Sequence, residues 1–257
     1  MKIVLIKLGG SILHEVNDSF FSSLKELQED GYKLLFVHGG GPDINEMLDT
    51  LNIEPQFHNG LRKTTEDVLK VVELVLSGKT NRALVSLLRR NGLSAIGLQG
   101  SDVKLLEAEH IDRDNLGEVG RVTSVNTDLL TKVLDMELIP VMTPLAQAGD
   151  GKTLNINADM AAGAVAHALQ AESCVFVTDV KGVLNNGRLV ESMTADEAET
   201  LIEQNIINGG MIPKVRTALE VLTTGTEEVR IVSGKEPFFL KGKWIGTSFQ
   251  EKERAGV

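Results

Sequence analysis

Short apolar runs alternate along this chain with longer amphipathic stretches, and glycines are massed where run meets stretch. Residues 3–8 read as a strand, 18–29 as a helix and 33–37 as a strand. Residues 43–51 read as a helix, and 65–90 as one long or two joined helices. Strands at 94–98 and 138–142 flank a helix at 126–134. A helix at 159–169 leads into a strand at 174–178, and helices at 195–204 and 212–222 precede a strand at 228–232. Strands separated by helices cross over to parallel neighbours, and a parallel sheet needs cover on both faces. The predicted class is α/β, with a largely parallel central sheet.

Two stretches break the alternation. Residues 102–125 are polar, with β-like pieces at 103–105 and 120–122, and predict hairpins on the sheet rim. Asn186-Gly187 between apolar neighbours predicts a tight hairpin over 184–189. No repeat or low-complexity linker occurs. If there are two lobes, they meet near 170–173, dividing 1–173 from 174–257.

Charge and composition remove several classes of function. Asp and Glu outnumber Lys and Arg by 36 to 26, a formal charge of −10, the opposite of a general nucleic-acid binder. Aromatic residues are only 4%, too few to suggest base stacking. One cysteine, Cys174, forms no intrachain disulfide and suits a reducing compartment. No apolar run approaches a membrane span, and the apolar stretch at the N-terminus is too short for a signal peptide. The expectation is a cytoplasmic protein.

Gly9-Gly10 and Gly39-Gly40-Gly41 both follow predicted strands, at the end where open α/β sheets bind ligands. Glycines there let backbone N–H groups approach an anion, and a following helix adds its dipole. They could also be simple tight turns, although three in a row exceed what a turn needs. Familiar nucleotide motifs fail: Glu73 and Ala146 stand where a phosphate loop ending at Lys79 or Lys152 needs glycine. The five histidines show no metal-ligand spacing, and only His38, beside the second glycine cluster, is placed suggestively.

Three charged residues stand in costly places. Lys7 interrupts the first apolar strand just before Gly9-Gly10, where it either snorkels to water or serves a ligand. Lys214 falls in the first turn of a helix, facing the positive end of the dipole, just after Gly209-Gly210. Asp159 opens a helix of small residues after Asn155 and Asn157, either as a cap or as an organising carboxylate. Two lysines, glycine amides, one carboxylate and no evident general base suit phosphoryl transfer to an acceptor that is already an anion.

The order and sequence of these segments resemble the amino acid kinase family: Lys7-Leu8-Gly9-Gly10, His38-Gly39-Gly40-Gly41, Asn59-Gly60-Leu61-Arg62, Asn155-Ile156-Asn157-Ala158-Asp159, Thr178-Asp179-Val180-Lys181-Gly182-Val183-Leu184 and Gly210-Met211-Ile212-Pro213-Lys214. The resemblance runs from residue 2 to about residue 248. It implies a three-layer αβα sandwich. The N-terminal lobe would bind an amino-acid substrate and dimerise, and the C-terminal lobe would bind ATP. Within the family, the His-Gly-Gly-Gly, Asn-Gly-Leu-Arg and Asn-x-Asn-Ala-Asp combination implies phosphorylation of the side-chain carboxylate of N-acetyl-L-glutamate in arginine biosynthesis. Lys7 and Lys214 would stabilise the transferring group, with Asp159 orienting both. Gly40, Gly41, Arg62, Asn155 and Asn157 would bind the substrate. Gly9, Gly10, Asp179, Val180, Lys181, Gly182, Val183, Leu184, Ile206, Ile207 and Asn208 would line the nucleotide site. Mg²⁺ would bridge the phosphates without dedicated protein ligands. Lys63 after Arg62 departs from the apolar residue expected there. A kinase of an aminoadipate-type carboxylate and a non-catalytic ligand sensor are the alternatives. The resemblance further implies a homodimer and, with so few residues before Lys7, no inhibition by arginine; the apolar stripe Val68, Val71, Val72, Val75 and Leu76 within 65–90 serves either as the dimer surface or as cover for the chain's own sheet.

Overall fold

The computed structural model describes residues 1–250. One eight-stranded sheet organises them, in the spatial order Ser192–Thr194, Thr247–Gln250, Glu228–Ser233, Ser173–Thr178, Lys2–Leu8, Tyr32–His38, Ile139–Met142, Ala95–Leu98. Every pairing is parallel except that between Glu228–Ser233 and Thr247–Gln250. The first strand is central, and its alternate side chains enter opposite layers. Val4, Ile6 and Leu8 pack with Phe20, Leu24 and Leu27 of helix Asp18–Glu29 and with Leu84 and Leu88 of helix Asn81–Arg90. Ile3 and Leu5 join the apolar residues of helices Thr127–Asp135, Ala158–Ala168 and Met211–Leu222. This is the expected αβα sandwich. The small residues of Ala158–Ala168 serve close packing: a Cβ on Gly163 would lie 2.8 Å from Val221 Cγ1.

Four elements differ from, or sharpen, the sequence expectation. Residues 103–105 are not β-like: Asp102–Lys104 forms a 3₁₀ turn with Val103 and Lys104 at φ 50° and 53°. The rim is a small closed barrel of Leu106–His110, Val119–Val125, Leu145–Ala148 and Thr153–Ile156. Its last two strands have four residues each and are rich in alanine and polar groups, so only their pairing with neighbouring strands reveals them. The stretch 65–90 is two α-helices, Glu66–Glu73 and Asn81–Arg90, joined by a π-helical segment, Leu74–Thr80. The Asn-Gly hairpin is present, with Asn186 at φ 51° and Gly187 at φ 76°, both positive as a type I′ turn requires.

The sheet runs without interruption past residue 173, because Val4 pairs with Ser173 and Leu8 with Val177. The same register brings Leu8 beside His38. The carboxyl ends of the first, second and Ser173–Thr178 strands therefore meet at one edge. No helix among the described residues is long and apolar enough to cross a membrane.

Candidate active site

The two early glycine turns touch. A Cβ on Gly10 would lie 2.9 Å from the Cα of Gly40, and one on Gly40 would lie 2.6 Å from Leu76 Cδ2. His38 supports this junction from beneath. Its Nδ1 meets the Gly39 carbonyl at 3.0 Å and its Nε2 meets the Asn81 amide at 3.1 Å, so Nδ1 carries the proton. Burial lowers the His38 pKa to about 4, against opposing help from the Gly39 carbonyl. His38 is thus a neutral prop for the loop, not a ligand or a base facing the site.

Above the junction opens a cavity of about 290 Å³ lined by Lys7, Gly9, Gly10, Gly40, Gly41, Arg62, Asn155, Asn157 and Asp159. Arg62 reaches it from the hairpin of Phe57–His58 and Leu61–Arg62. Its Nη2 donates to Asn45 Oδ1 at 2.7 Å, and its guanidinium stacks 4.8 Å from the Phe57 ring centroid. Its Nη1 is buried with no partner among the described residues, while burial lowers its pKa. A buried guanidinium nitrogen lacking an acceptor is a donor that a ligand carboxylate satisfies well. Asn155 Nδ2 donates to Thr64 Oγ1 at 3.0 Å. Asn157, not Asp159, is the helix cap: its Oδ1 accepts from the backbone N–H of Asp159 and Met160 at 2.9 and 3.1 Å. That leaves the Asp159 carboxylate free to meet Lys7 Nζ at 2.8 Å.

A second cavity, about 460 Å³, lies on the other side of this ion pair. Lys7 and Asp159 line both cavities; Glu15, Thr178, Asp179 and Lys214 line the second. Lys214 Nζ lies 2.5 Å from Asp179 Oδ1, and this hydrogen bond holds the Asp179 carboxyl below the usual carboxylate range. The lysine at the helix N-terminus is therefore offset by an acidic partner from a neighbouring strand end. Of the two lysines that Asp159 is expected to orient, it meets Lys7 here, while Lys214 meets Asp179.

Other expected nucleotide residues are dispersed. Gly9 and Gly10 line the first cavity, not the second. Of 179–184, only Asp179 lines the second cavity. The Val180 carbonyl accepts from the Thr178 hydroxyl at 3.0 Å, and Lys181 pairs with Glu236 at 2.6 Å. Gly182 is at φ 144°, where a Cβ would lie 2.5 Å from Thr247 Oγ1. Val183 and Ile207 are buried in the core, whereas Leu184 in the hairpin and Asn208 are exposed. Ile206, Ile207 and Asn208 line neither cavity. Sequence reading missed Phe57, Asn45, Ser11, Glu15 and Thr217. Thr217, three residues after Lys214 on one helix face, carried a usable signal; Glu15, whose carboxylate pairs with Lys235 at 2.5 Å, carried none. No group of three or more His, Cys, Asp or Glu side chains that could hold a metal occurs among the described residues.

Residues 2–233 match the sequence pattern of the amino acid kinase family. An acetylglutamate kinase of Geobacillus thermodenitrificans (strain NG80-2) is 50% identical over 249 residues, 97% of this chain and 96% of that protein. One of Bacillus subtilis (strain 168) is 44% identical over 254 residues, 99% and 98% of the two chains. Among solved structures, smu.665 from Streptococcus mutans UA159 superposes with a TM-score of 0.82 at 34% identity, covering 97% of this chain and 99% of that one. Carbamate kinase from Giardia lamblia bound to AMP-PNP shares the fold, with a TM-score of 0.64 at 17% identity over 98% of this chain and 99% of that one.

Proposed function

The chain belongs to the amino acid kinase family, and we propose that it transfers the γ-phosphoryl group of ATP to the side-chain carboxylate of N-acetyl-L-glutamate, a step of arginine biosynthesis. The observation that carries this reading is the Lys7–Asp159 pair, which lines two cavities at once. One cavity offers an unpartnered guanidinium nitrogen and glycine turns, suited to a small dicarboxylate. The other offers Lys214 and the strand end at Thr178 and Asp179, suited to a polyphosphate.

In this reading Arg62 takes the substrate carboxylate remote from the reaction, Gly40 and Gly41 offer backbone amides, and Asn155 and Asn157 contact its polar groups. The reacting carboxylate oxygen bonds to the γ-phosphorus, the bond from that phosphorus to the bridging oxygen breaks, and ADP leaves with that electron pair. No proton has to be removed, because the nucleophile is already an anion. The obstacle is repulsion between two anions, which Lys7 from the acceptor side and Lys214 from the nucleotide side offset. Asp159 and Asp179 fix where the two ammonium groups stand. Mg²⁺ would accompany the nucleotide as part of that substrate and offset phosphate charge, since no group of three or more His, Cys, Asp or Glu side chains among the described residues is placed to hold it.

In this reading the acceptor lies with residues 1–173 and the nucleotide mainly with 174–257, of which 251–257 lie outside the described residues; Lys7 and Asp159 face both, and Ser11, Ile12 and Glu15 also line the second cavity. The reading also includes a cytoplasmic homodimer formed along residues 65–90, where Leu74 stands exposed; light scattering tests the dimer. The activity is tested by trapping the acyl phosphate with hydroxylamine in the presence of ATP and Mg²⁺. N-acetylglutamate should give a hydroxamate, and free glutamate, whose ammonium would replace a neutral acetamide, should give little. Equal turnover of the two would refute the assignment.

A further inference from the structure

Thr64 is fully buried and lines neither cavity, yet it is joined to two of the polar residues that line the first, Arg62 and Asn155. Its hydroxyl donates to the Arg62 carbonyl at 2.9 Å and accepts from Asn155 Nδ2 at 3.0 Å. Its backbone is held as firmly. The Thr64 N–H donates to the Leu116 carbonyl at 2.8 Å, and the Thr64 carbonyl accepts from Glu118 N–H at 2.7 Å. Glu118 in turn offers its carbonyl to the Asn155 N–H at 2.9 Å. The approach is close enough to require glycine at 117, which sits at φ 71° and where a Cβ would lie 2.4 Å from the Thr64 carbonyl oxygen. The hairpin that carries Arg62 and the barrel strand that carries Asn155 thus meet at one hydroxyl.

We propose that Thr64 is a positioning residue for the acceptor site, setting the distance between the Arg62 guanidinium and the Asn155 amide through its hydroxyl. This rests on the reading of the first cavity as the N-acetylglutamate site. Of the side chains that fit this space, only Ser and Thr can donate strongly to one group while accepting strongly from another. Valine fills the same volume but leaves the Asn155 amide and the Arg62 carbonyl without their partner. Arg62 is then held only through the hairpin and the Thr64 backbone, and its open Nη1 donor no longer lies at a defined distance from Asn155.

The test is steady-state kinetics of Thr64→Val and Thr64→Ser. Thr64→Val should raise the KM for N-acetylglutamate about tenfold or more while leaving the KM for ATP unchanged. Thr64→Ser should restore it. In an Asn155→Ala background the valine substitution should have a smaller effect, since one of the two partners is already gone. Should the valine protein fail to fold, Thr64→Ala is read in the same way. An unchanged KM for N-acetylglutamate overturns the proposal. So does a parallel loss in both KM values and kcat that serine does not rescue, which marks a merely structural role. If the unsubstituted protein gives no hydroxamate from N-acetylglutamate, the reading of the site fails and this proposal with it. If it does and Thr64→Val behaves identically, the proposal alone fails.

Discussion

Lys7 Nζ lies 2.8 Å from Asp159 Oδ1, and the two side chains form the partition between the two cavities. Lys7 comes from the end of a central strand and Asp159 from the first turn of a helix laid across it. Because Asn157 already caps that helix, the carboxylate has no local duty and can serve the lysine.

Asp159→Asn should therefore leave the helix formed and lower kcat by about 10²-fold, since a misplaced ammonium loses most of its electrostatic value in the transition state. Circular dichroism checks the helix and hydroxamate formation checks the rate. An active Asp159→Asn enzyme would show that Lys7 needs no partner.

Lys214→Ala removes a charge that reaches only the second cavity. It should lower kcat by about 10²–10³-fold and leave the KM for N-acetylglutamate nearly unchanged. Lys7→Ala removes a charge shared by both cavities and should disturb both parameters. Full kinetic profiles of the two variants, with each substrate varied in turn, distinguish these patterns.

The glycine turns should differ in tolerance. At Gly10 a Cβ meets the Gly40 backbone at 2.9 Å, whereas at Gly41 nothing lies within 4 Å. Gly10→Ala must push two loops apart and should lose stability by about 1–3 kcal/mol together with activity. Gly41→Ala, at the start of a helix, should remain within about 0.5 kcal/mol of the parent in a urea titration. Similar losses in both would contradict the geometry.

His38 gives a pH signature. Its pKa falls to about 4 in the folded protein, from an ordinary histidine value of 6.5. Above pH 6.5 it is neutral folded or unfolded and contributes no pH dependence. Between pH 6.5 and about 4 the unfolded chain takes up a proton that the folded chain refuses, so stability falls as pH falls, by up to about 3 kcal/mol. His38→Asn, which keeps a donor for the Gly39 carbonyl, should flatten this part of the profile. Urea unfolding at about pH 7, 6, 5 and 4 measures it.

Sequence alone determined the framework, because its signals are local. Period-two and helical patterning fixed the βα alternation, the Asn186-Gly187 pair fixed a type I′ hairpin, and the glycine clusters marked the ligand end of the strands. Lys7 and Lys214 stood out because each broke a local rule of burial or dipole, and Asp159 because two asparagines on the same face precede it. Tertiary structure decided which charge meets which. Asp159 and Asp179 are equally plausible partners for a lysine by composition, and only strand register and helix placement put one at Lys7 and the other at Lys214. The same holds for His38, whose neutrality follows from burial beside Asn81, and for Val183 and Ile207, whose side chains went to the core. It holds again for the short barrel strands at Leu145–Ala148 and Thr153–Ile156, too polar and too brief to announce themselves. Energies of ion pairs and burial depend on distances between segments far apart in the chain. Those distances are set by packing of the whole sheet, and no window of sequence contains them.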